Sequence, residues 1–513
     1  MTGRHHQRRY LALIPLLLLA GCSLPVVDHG SDLRGLPEDQ VSETLIGRST
    51  AALHSGQPGL TGIYPLSEPL DAFASRVMLV RAAERTLDVQ YYIWQQDTTG
   101  LLLLGELLEA ADRGVRVRLL LDDNGIGGLD PLLAAMDSHP DIHVRLFNPF
   151  PTRSAKWLNF VTDFSRVNRR MHNKSMTADN ALTVLGGRNI GDEYFGATPG
   201  ALFVDLDVLA LGPTVASVTE QFDRYWTSRS AYPLTALVDS AGAPERRDLR
   251  EQIRQVAQTP EAQRYFQAVA DRPFVGLLLD GELEVEWAPA RLLSDDPDKV
   301  LDEVDDSRLM ISDLARAMGP ARESLVLVSP YFVPTDEGVA LFERLESEGV
   351  EVRILTNSAA ATDVLAVHSG YARHRKDLLK AGVDLYEMKA VGPASNDKGS
   401  SGFSVSSSSS LHAKTFAMDE DRVFVGSFNF DPRSARLNTE MGLILQSPPL
   451  ARQLSNAFGP DLLLHAWQVE LDDDGDLFWQ DGAGDVLTAE PGTNAMERGM
   501  LWFFSLMPIE GLL

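Results

Sequence analysis

The chain has 513 residues, 44% of them hydrophobic, and a formal net charge of −26. That apolar share is ordinary for a globular protein, and the length fits two domains with insertions. The acid excess argues against nucleic acid as the main partner, because proteins that grip phosphate backbones are basic at least over a stripe. A single cysteine, Cys22, excludes an intrachain disulfide.

At the N-terminus Arg4, Arg8 and Arg9 precede an apolar run from Leu11 to Ala20 and then Leu19-Ala20-Gly21-Cys22. This is the order of a signal peptide, assigned to residues 1–21. The run falls short of the ~20 residues that span a bilayer, which favours cleavage over an uncleaved anchor. Leu-Ala-Gly-Cys resembles the lipobox of bacterial lipoproteins, which implies lipidation of Cys22, a membrane-anchored protein of the cell envelope and, with Ser23 next, the outer membrane. Residues 22–65 read as a tether with little periodicity.

From residue 66 strands and helices alternate. The pattern predicts a helix over Leu70–Ala83, a strand over Thr86–Trp94, a helix over Leu101–Asp112, and strands over Val115–Leu121 and Asp141–Phe147. Such alternation implies an α/β fold, a sheet with helices on both faces. Two domains are expected, over 66–230 and 301–513, joined by an insertion over 231–300 that does not repeat. In the insertion a charged stretch from Ala243 to Ala270 reads as helical, Glu282–Trp287 as a strand and Leu293–Pro297 as a turn.

The strongest signal is duplicated. His172-Asn173-Lys174 is followed by Asp179, and His412-Ala413-Lys414 by Asp419. Each copy is trailed by a glycine-containing corner and an asparagine: Gly186-Gly187-Arg188-Asn189 and Gly426-Ser427-Phe428-Asn429. The histidines are 240 residues apart, and so are the asparagines. One H-x-K-x-x-x-x-D is weak, but two with matched trailing residues are hard to obtain by accident. Upstream, Arg113-Gly114-Val115-Arg116-Val117 resembles Glu348-Gly349-Val350-Glu351-Val352, so whole domains are repeated.

Each motif reads as a hairpin, the first with Met171–Thr177 and Ala181–Leu185 around an Asx turn. Residues i and i+2 of a strand share a face, so His172 and Lys174 point together, as do His412 and Lys414. Asp179 and Asp419 belong to the motif but fall where the turn wants them, which favours bracing over chemistry. Packed with pseudo-two-fold symmetry, the halves would bring both His-Lys-Asn sets into one pocket. Lys174, Lys414, Asn189 and Asn429 would hold the phosphoryl oxygens while one imidazole attacks phosphorus and the other protonates the leaving alcohol. Asp205 and Glu440 follow their motifs at similar distances and are the candidates for orienting the histidines, with Asp207 the rival of Asp205. No cofactor is called for, and lysines beside the histidines disfavour a metal.

These residues resemble the phospholipase D superfamily, whose hallmark is the duplicated motif, over nearly the whole mature chain. More narrowly, Asp88–Trp94, Arg170–Ser175, Gly186–Asp192 and Gly426–Ser434 look like bacterial cardiolipin synthases. The resemblance implies two tandem phospholipase D-type domains, each a mixed β-sheet flanked by helices. It implies phospholipid substrates at a membrane surface, with His172 the nucleophile and His412 the acid and then base. The product would be cardiolipin, from phosphatidylglycerol and a second phospholipid, phosphatidylethanolamine or phosphatidylglycerol. Hydrolysis to phosphatidic acid uses the same residues and is the alternative. One chain supplies both motifs, so no oligomer is required. The Gly/Ser-rich stretch from Ala394 to Ser410 reads either as a gate or as an inert insertion. Apolar Met500–Pro508 reads either as an interfacial segment or as part of the core.

Overall fold

The computed structural model describes residues 23–196, 203–271, 277, 282–390 and 410–513. The leader with Cys22 and nearly all of the Gly/Ser-rich stretch lie outside the described residues.

The first half is built on a nine-stranded sheet in the order Glu286–Ala288, Thr61–Leu66, Asp207–Leu211, Leu182–Gly186, Ser175–Ala178, Thr86–Ile93, Arg116–Gly125, Ile142–Phe147 and Ala231–Pro233. Thr86–Ile93, Arg116–Gly125 and Ile142–Phe147 run parallel, and the motif hairpin joins them antiparallel, so the sheet is mixed. The second half repeats this plan. Met441–Gln446, Arg422–Gly426, Thr415–Met418, Ser324–Val328, Glu351–Asn357 and Asp384–Met388 follow one another in a ten-stranded sheet.

The repeat has local causes. Helix Thr98–Asp112 starts where the Asp97 side chain accepts the Gly100 amide, and the chain turns after it at Gly114, with φ of 89°. Helix Thr335–Ser347 is followed in the same way by Gly349, with φ of 87°. These two glycines supply the left-handed residue that ends a helix and releases the chain into the parallel strand.

The halves meet sheet face on sheet face. Ile63, Leu185 and Val208 of the first half are buried in one apolar cluster with Val326, Val423, Val425 and Leu443 of the second. Sheets buried on both faces have apolar runs rather than alternation, which is why Leu119-Leu120-Leu121 is fully buried.

The structure corrects several sequence expectations. The region read as a tether carries the helix Leu45–His54, and its last residues form the strand Thr61–Leu66 inside the first sheet. The apolar alternation there was too short to read. The insertion supplies a strand to each sheet: Glu286–Ala288 pairs with the first, and Ala290–Ser294 pairs with Met441–Gln446 of the second. Leu293 and Ser294 thus end a strand rather than open a turn. The charged stretch forms two helices, Ala243–Ala257 and Pro260–Asp271. The C-terminal segment is a helix over Ala495–Ser505 that buries Leu501 but leaves Trp502 and Phe503 exposed. No helix among the described residues is long and apolar enough to cross a membrane.

Candidate active site

Both hairpins are tighter than expected. The first pairs Ser175–Ala178 with Leu182–Gly186, and its turn residues Asp179 and Asn180 have φ of 49° and 52°. The second pairs Thr415–Met418 with Arg422–Gly426, turning at Asp419 and Glu420 with φ of 54° and 50°. Two consecutive left-handed residues make the turn that matches strand twist, and Asn and Asp tolerate it best. The motif aspartates face away from the chemistry. Asp179 accepts the backbone amides of Glu84, Arg85 and Thr86 at 2.8–2.9 Å, and Asp419 those of Arg322, Glu323 and Ser324 at 2.9–3.2 Å. These bonds pin the chain entering the central strand of each sheet.

The histidines leave their hairpins. Met171–Lys174 does not pair as a hairpin strand: Met171 bridges to Thr439 of the other half, and the His172 amide donates to the Thr439 carbonyl at 2.9 Å. Ser410–Leu411 likewise runs parallel to Phe203–Val204, and the His412 amide donates to the Val204 carbonyl at 2.8 Å. The residue after each bridge partner is one of the two orienting acids, so the acids serve crosswise. Nδ1 of His172 lies 2.9 and 3.1 Å from the two oxygens of Glu440. Nδ1 of His412 lies 2.6 Å from Asp205. Asp207 is set aside, since it pairs with Arg76 at 2.8 Å and Arg188 at 3.4 Å.

Both rings are thus held at Nδ1. One cavity of about 360 Å³ is lined by His172, His412, Asn189 and Asn429 together. Edge-on tyrosines support the rings, Tyr92 against His172 at 5.0 Å and Tyr194 against His412 at 5.1 Å between centroids. Asn189 is fixed by its bonds to the Ile93 amide and the Tyr194 hydroxyl. Oδ1 of Asn429 is buried with no hydrogen-bond partner among the described residues. The lysines stand behind this wall, 1% and 2% exposed. Lys174 donates to the His172 carbonyl at 2.6 Å and Lys414 to the His412 carbonyl, with Nζ of Lys414 3.0 Å from Nδ1 of His412.

Electrostatics set the protonation states. Burial, with Lys414 next to it, lowers His412 to about 4, and burial with Lys174 and Lys414 lowers His172 well below its ordinary value. Both rings are therefore neutral bases near pH 7. Burial also brings Lys414 down to about 8 and raises Glu440 to about 7, the latter against the pull of Lys174. Asp205 goes the other way: although burial opposes it, His412 and Lys414 hold it below its usual range.

The two corners differ for a steric reason. A Cβ on Gly187 would lie 2.2 Å from the Asp205 carboxylate, so the first corner needs glycine. At the equivalent place Ser427 donates its hydroxyl to Glu440.

Sequence reasoning missed part of the wall. Arg433, held by the Asn168 carbonyl at 2.7 Å, lines the cavity with Arg170, Tyr331 and Asp363, the last two joined at 2.7 Å. Arg433 stands in the Asp431-Pro432-Arg433-Ser434 run beside the second motif, which was its only signal. Outside the site, His368, Glu387 and Glu490 cluster, but Arg375 occupies their midst at 2.8 Å from Glu490 and 3.4 Å from Glu387.

A family profile described as cardiolipin synthase, phospholipase D-like domain, matches twice, over residues 77–226 and 314–462. The chain belongs to this phospholipase D-like family. It is 48% identical to cardiolipin synthase C of Escherichia coli K12 over 466 residues, 90% of this chain and 98% of that protein. A Helicobacter pylori protein without an assigned function is 33% identical over 80% of this chain and 81% of its own. The crystal structure of phosphatidylserine synthase from Haemophilus influenzae shares the fold, with a TM-score of 0.55, 14% identity, and coverage of 90% of this chain and all of that one. The two family matches fall one in each sheet, and each contains one His-Lys motif and its asparagine.

Proposed function

We propose that the protein is a phosphatidyltransferase that makes cardiolipin from phosphatidylglycerol and a second phospholipid, phosphatidylethanolamine or phosphatidylglycerol. The observation that carries this reading is the one cavity lined by both His172 and His412, each held at Nδ1 by a carboxylate from the opposite half. The 48% identity to a cardiolipin synthase over 90% of the chain supports the substrate class.

In the first step Nε2 of His172 attacks the donor phosphorus. The bond from phosphorus to the head-group alcohol breaks, and His412 delivers the proton that the alcohol takes away. The anionic phosphodiester raises His412 from its low value on binding, and the ring takes up a proton from solvent as the complex forms. A phosphatidyl group is left on His172. In the second step His412, now neutral, takes the proton of a glycerol hydroxyl of phosphatidylglycerol. That oxygen attacks phosphorus, the bond to His172 breaks, and cardiolipin leaves. Asn189 and Asn429 meet the non-bridging oxygens, where charge grows in the transition state, and Lys174 and Lys414 behind them add positive potential. Preorganised donors of this kind are worth about 3–4 kcal/mol each.

Residues 66–230 and 301–513 act as two halves of one site within one chain, and no partner subunit is needed to complete it. Cleavage before Cys22 and its acylation would hold the enzyme on the envelope membrane, with Ser23 pointing to the outer one.

The test is to incubate the protein with labelled phosphatidylglycerol and phosphatidylethanolamine, and separately with single-stranded DNA. Cardiolipin is expected. Phosphatidic acid alone would make it a hydrolase, and nucleotide release or no product would overturn the reading.

A further inference from the structure

Residues 156–167 invert the usual order of a surface segment. The polar Asn159 is buried at 2% exposure and its amide bonds Thr152 and Lys156 at 3.0–3.1 Å. The apolar residues face out: Trp157 is 67% exposed, Val161 76% and Phe164 45%. Trp157, Val161 and Phe164 stand on three successive short turns, Lys156–Leu158, Asn159–Thr162 and Phe164–Val167, and nothing among the described residues buries them. The segment is not free to collapse inward. Lys156 is tied to Asp123 at 2.6 and 2.9 Å, and Arg166 to Asn148 at 2.6 Å.

Its place gives it meaning. Phe160 and Val167 of the same segment line the catalytic cavity, and Val364, 38% exposed, lines it from the second half. The outward apolar face is therefore continuous with the wall of the site. The two cations of the segment are already paired, Lys156 with Asp123 at 2.9 Å and Arg166 with Asp163 at 2.6 Å, and a chain of net charge −26 is repelled by an anionic surface. Adhesion must come from burying apolar area.

We propose that this segment dips into the bilayer, with Trp157, Val161 and Phe164 among the acyl chains. The cavity mouth then rests on the membrane, and a phospholipid reaches the histidines without crossing water. The proposal rests on the phosphatidyl-transfer reading for its choice of surface.

The test uses the full chain and vesicles of phosphatidylglycerol and phosphatidylethanolamine with brominated acyl chains, which quench tryptophans only at acyl depth. Trp157→Phe is expected to remove a quenched component that the parent protein shows. The triple variant Trp157→Ser, Val161→Ser, Phe164→Ser should lose about tenfold or more of its rate on vesicles while staying within about twofold on monomerically dispersed short-chain phosphatidylglycerol. Equal quenching in Trp157→Phe, or full vesicle turnover by the triple variant, would overturn it and leave the face to a protein partner. A parent protein inactive on both substrates would sink the transfer reading instead, while the quenching still decides the membrane contact.

Discussion

The imidazole of His172, from the first half of the chain, is held at Nδ1 by Glu440 from the second, at 2.9 Å. His412 is held by Asp205 of the first half at 2.6 Å in return. The exchange is reciprocal, as in the isologous interface of a two-fold dimer, here built into one polypeptide. Neither half can orient its own histidine, so docking of the halves and assembly of the catalytic groups are one event.

The crosswise acids should behave as positioning residues. Glu440→Gln and Asp205→Asn keep the shape but lose the charge that fixes the tautomer of each ring. Each is expected to lower kcat by about a thousandfold or more with a small change in KM, by analogy with removal of the acid from a His-acid pair. Pairing Glu440→Gln with His172→Ala should cost little beyond His172→Ala alone, because the two act as a unit. Steady-state kinetics on the three variants check this, and additive losses would contradict the pairing.

The two histidines should separate by chemistry. His172→Ala is expected to abolish turnover and any acid-labile phosphatidyl label on the protein. His412→Ala should keep label formation from a donor whose leaving group needs no proton, such as p-nitrophenol, while losing transfer from natural donors. Mass spectrometry of quenched single turnovers reads both. Label retained in His172→Ala, or natural turnover in His412→Ala, would reverse or remove the assignments.

The duplicated motif, its trailing asparagines and the two acids were legible because each depends on local spacing and repeats 235 to 240 residues later. Which acid serves which histidine was not. The choice depends on Met171 bridging to Thr439 and on Leu411 pairing with Val204, contacts set only when two apolar sheet faces meet. The outward face of Trp157 and Val161 was equally hidden, because periodicity fixes which residues share a side and not whether that side meets core or solvent. Arg433 escaped because an isolated arginine after a helix-starting proline has no spacing to mark it.

Asp179 should prove structural despite its place in the motif. Its carboxylate accepts three backbone amides at 2.8–2.9 Å and is fully buried. Asn tolerates the left-handed turn but supplies one acceptor oxygen in place of two. Asp179→Asn is therefore expected to lower stability by about 1–3 kcal/mol, with kcat per folded molecule within about twofold. Thermal melts and active-site titration separate the two effects, and a large loss of kcat at unchanged stability would restore a catalytic role.

Asp431 offers a pH signature for the cavity wall. It caps the helix Pro432–Arg436 through the Ser434 amide at 2.6 Å and is 5% exposed. Burial raises it from 3.8 to about 7. Its folded value thus exceeds its unfolded one, and the folded chain keeps a proton that the unfolded chain has lost across that window. The stability it contributes is full below about pH 4 and is lost as pH rises through 7. Asn keeps the cap and carries no titrating proton. The gap in stability between Asp431→Asn and the parent should therefore widen in favour of the variant by roughly 2–3 kcal/mol between pH 5 and pH 8. Denaturant melts at the two pH values measure it. A gap that stayed constant would mean that Asp431 is ionised in the folded protein throughout, with the Arg433 guanidinium beside it outweighing its burial.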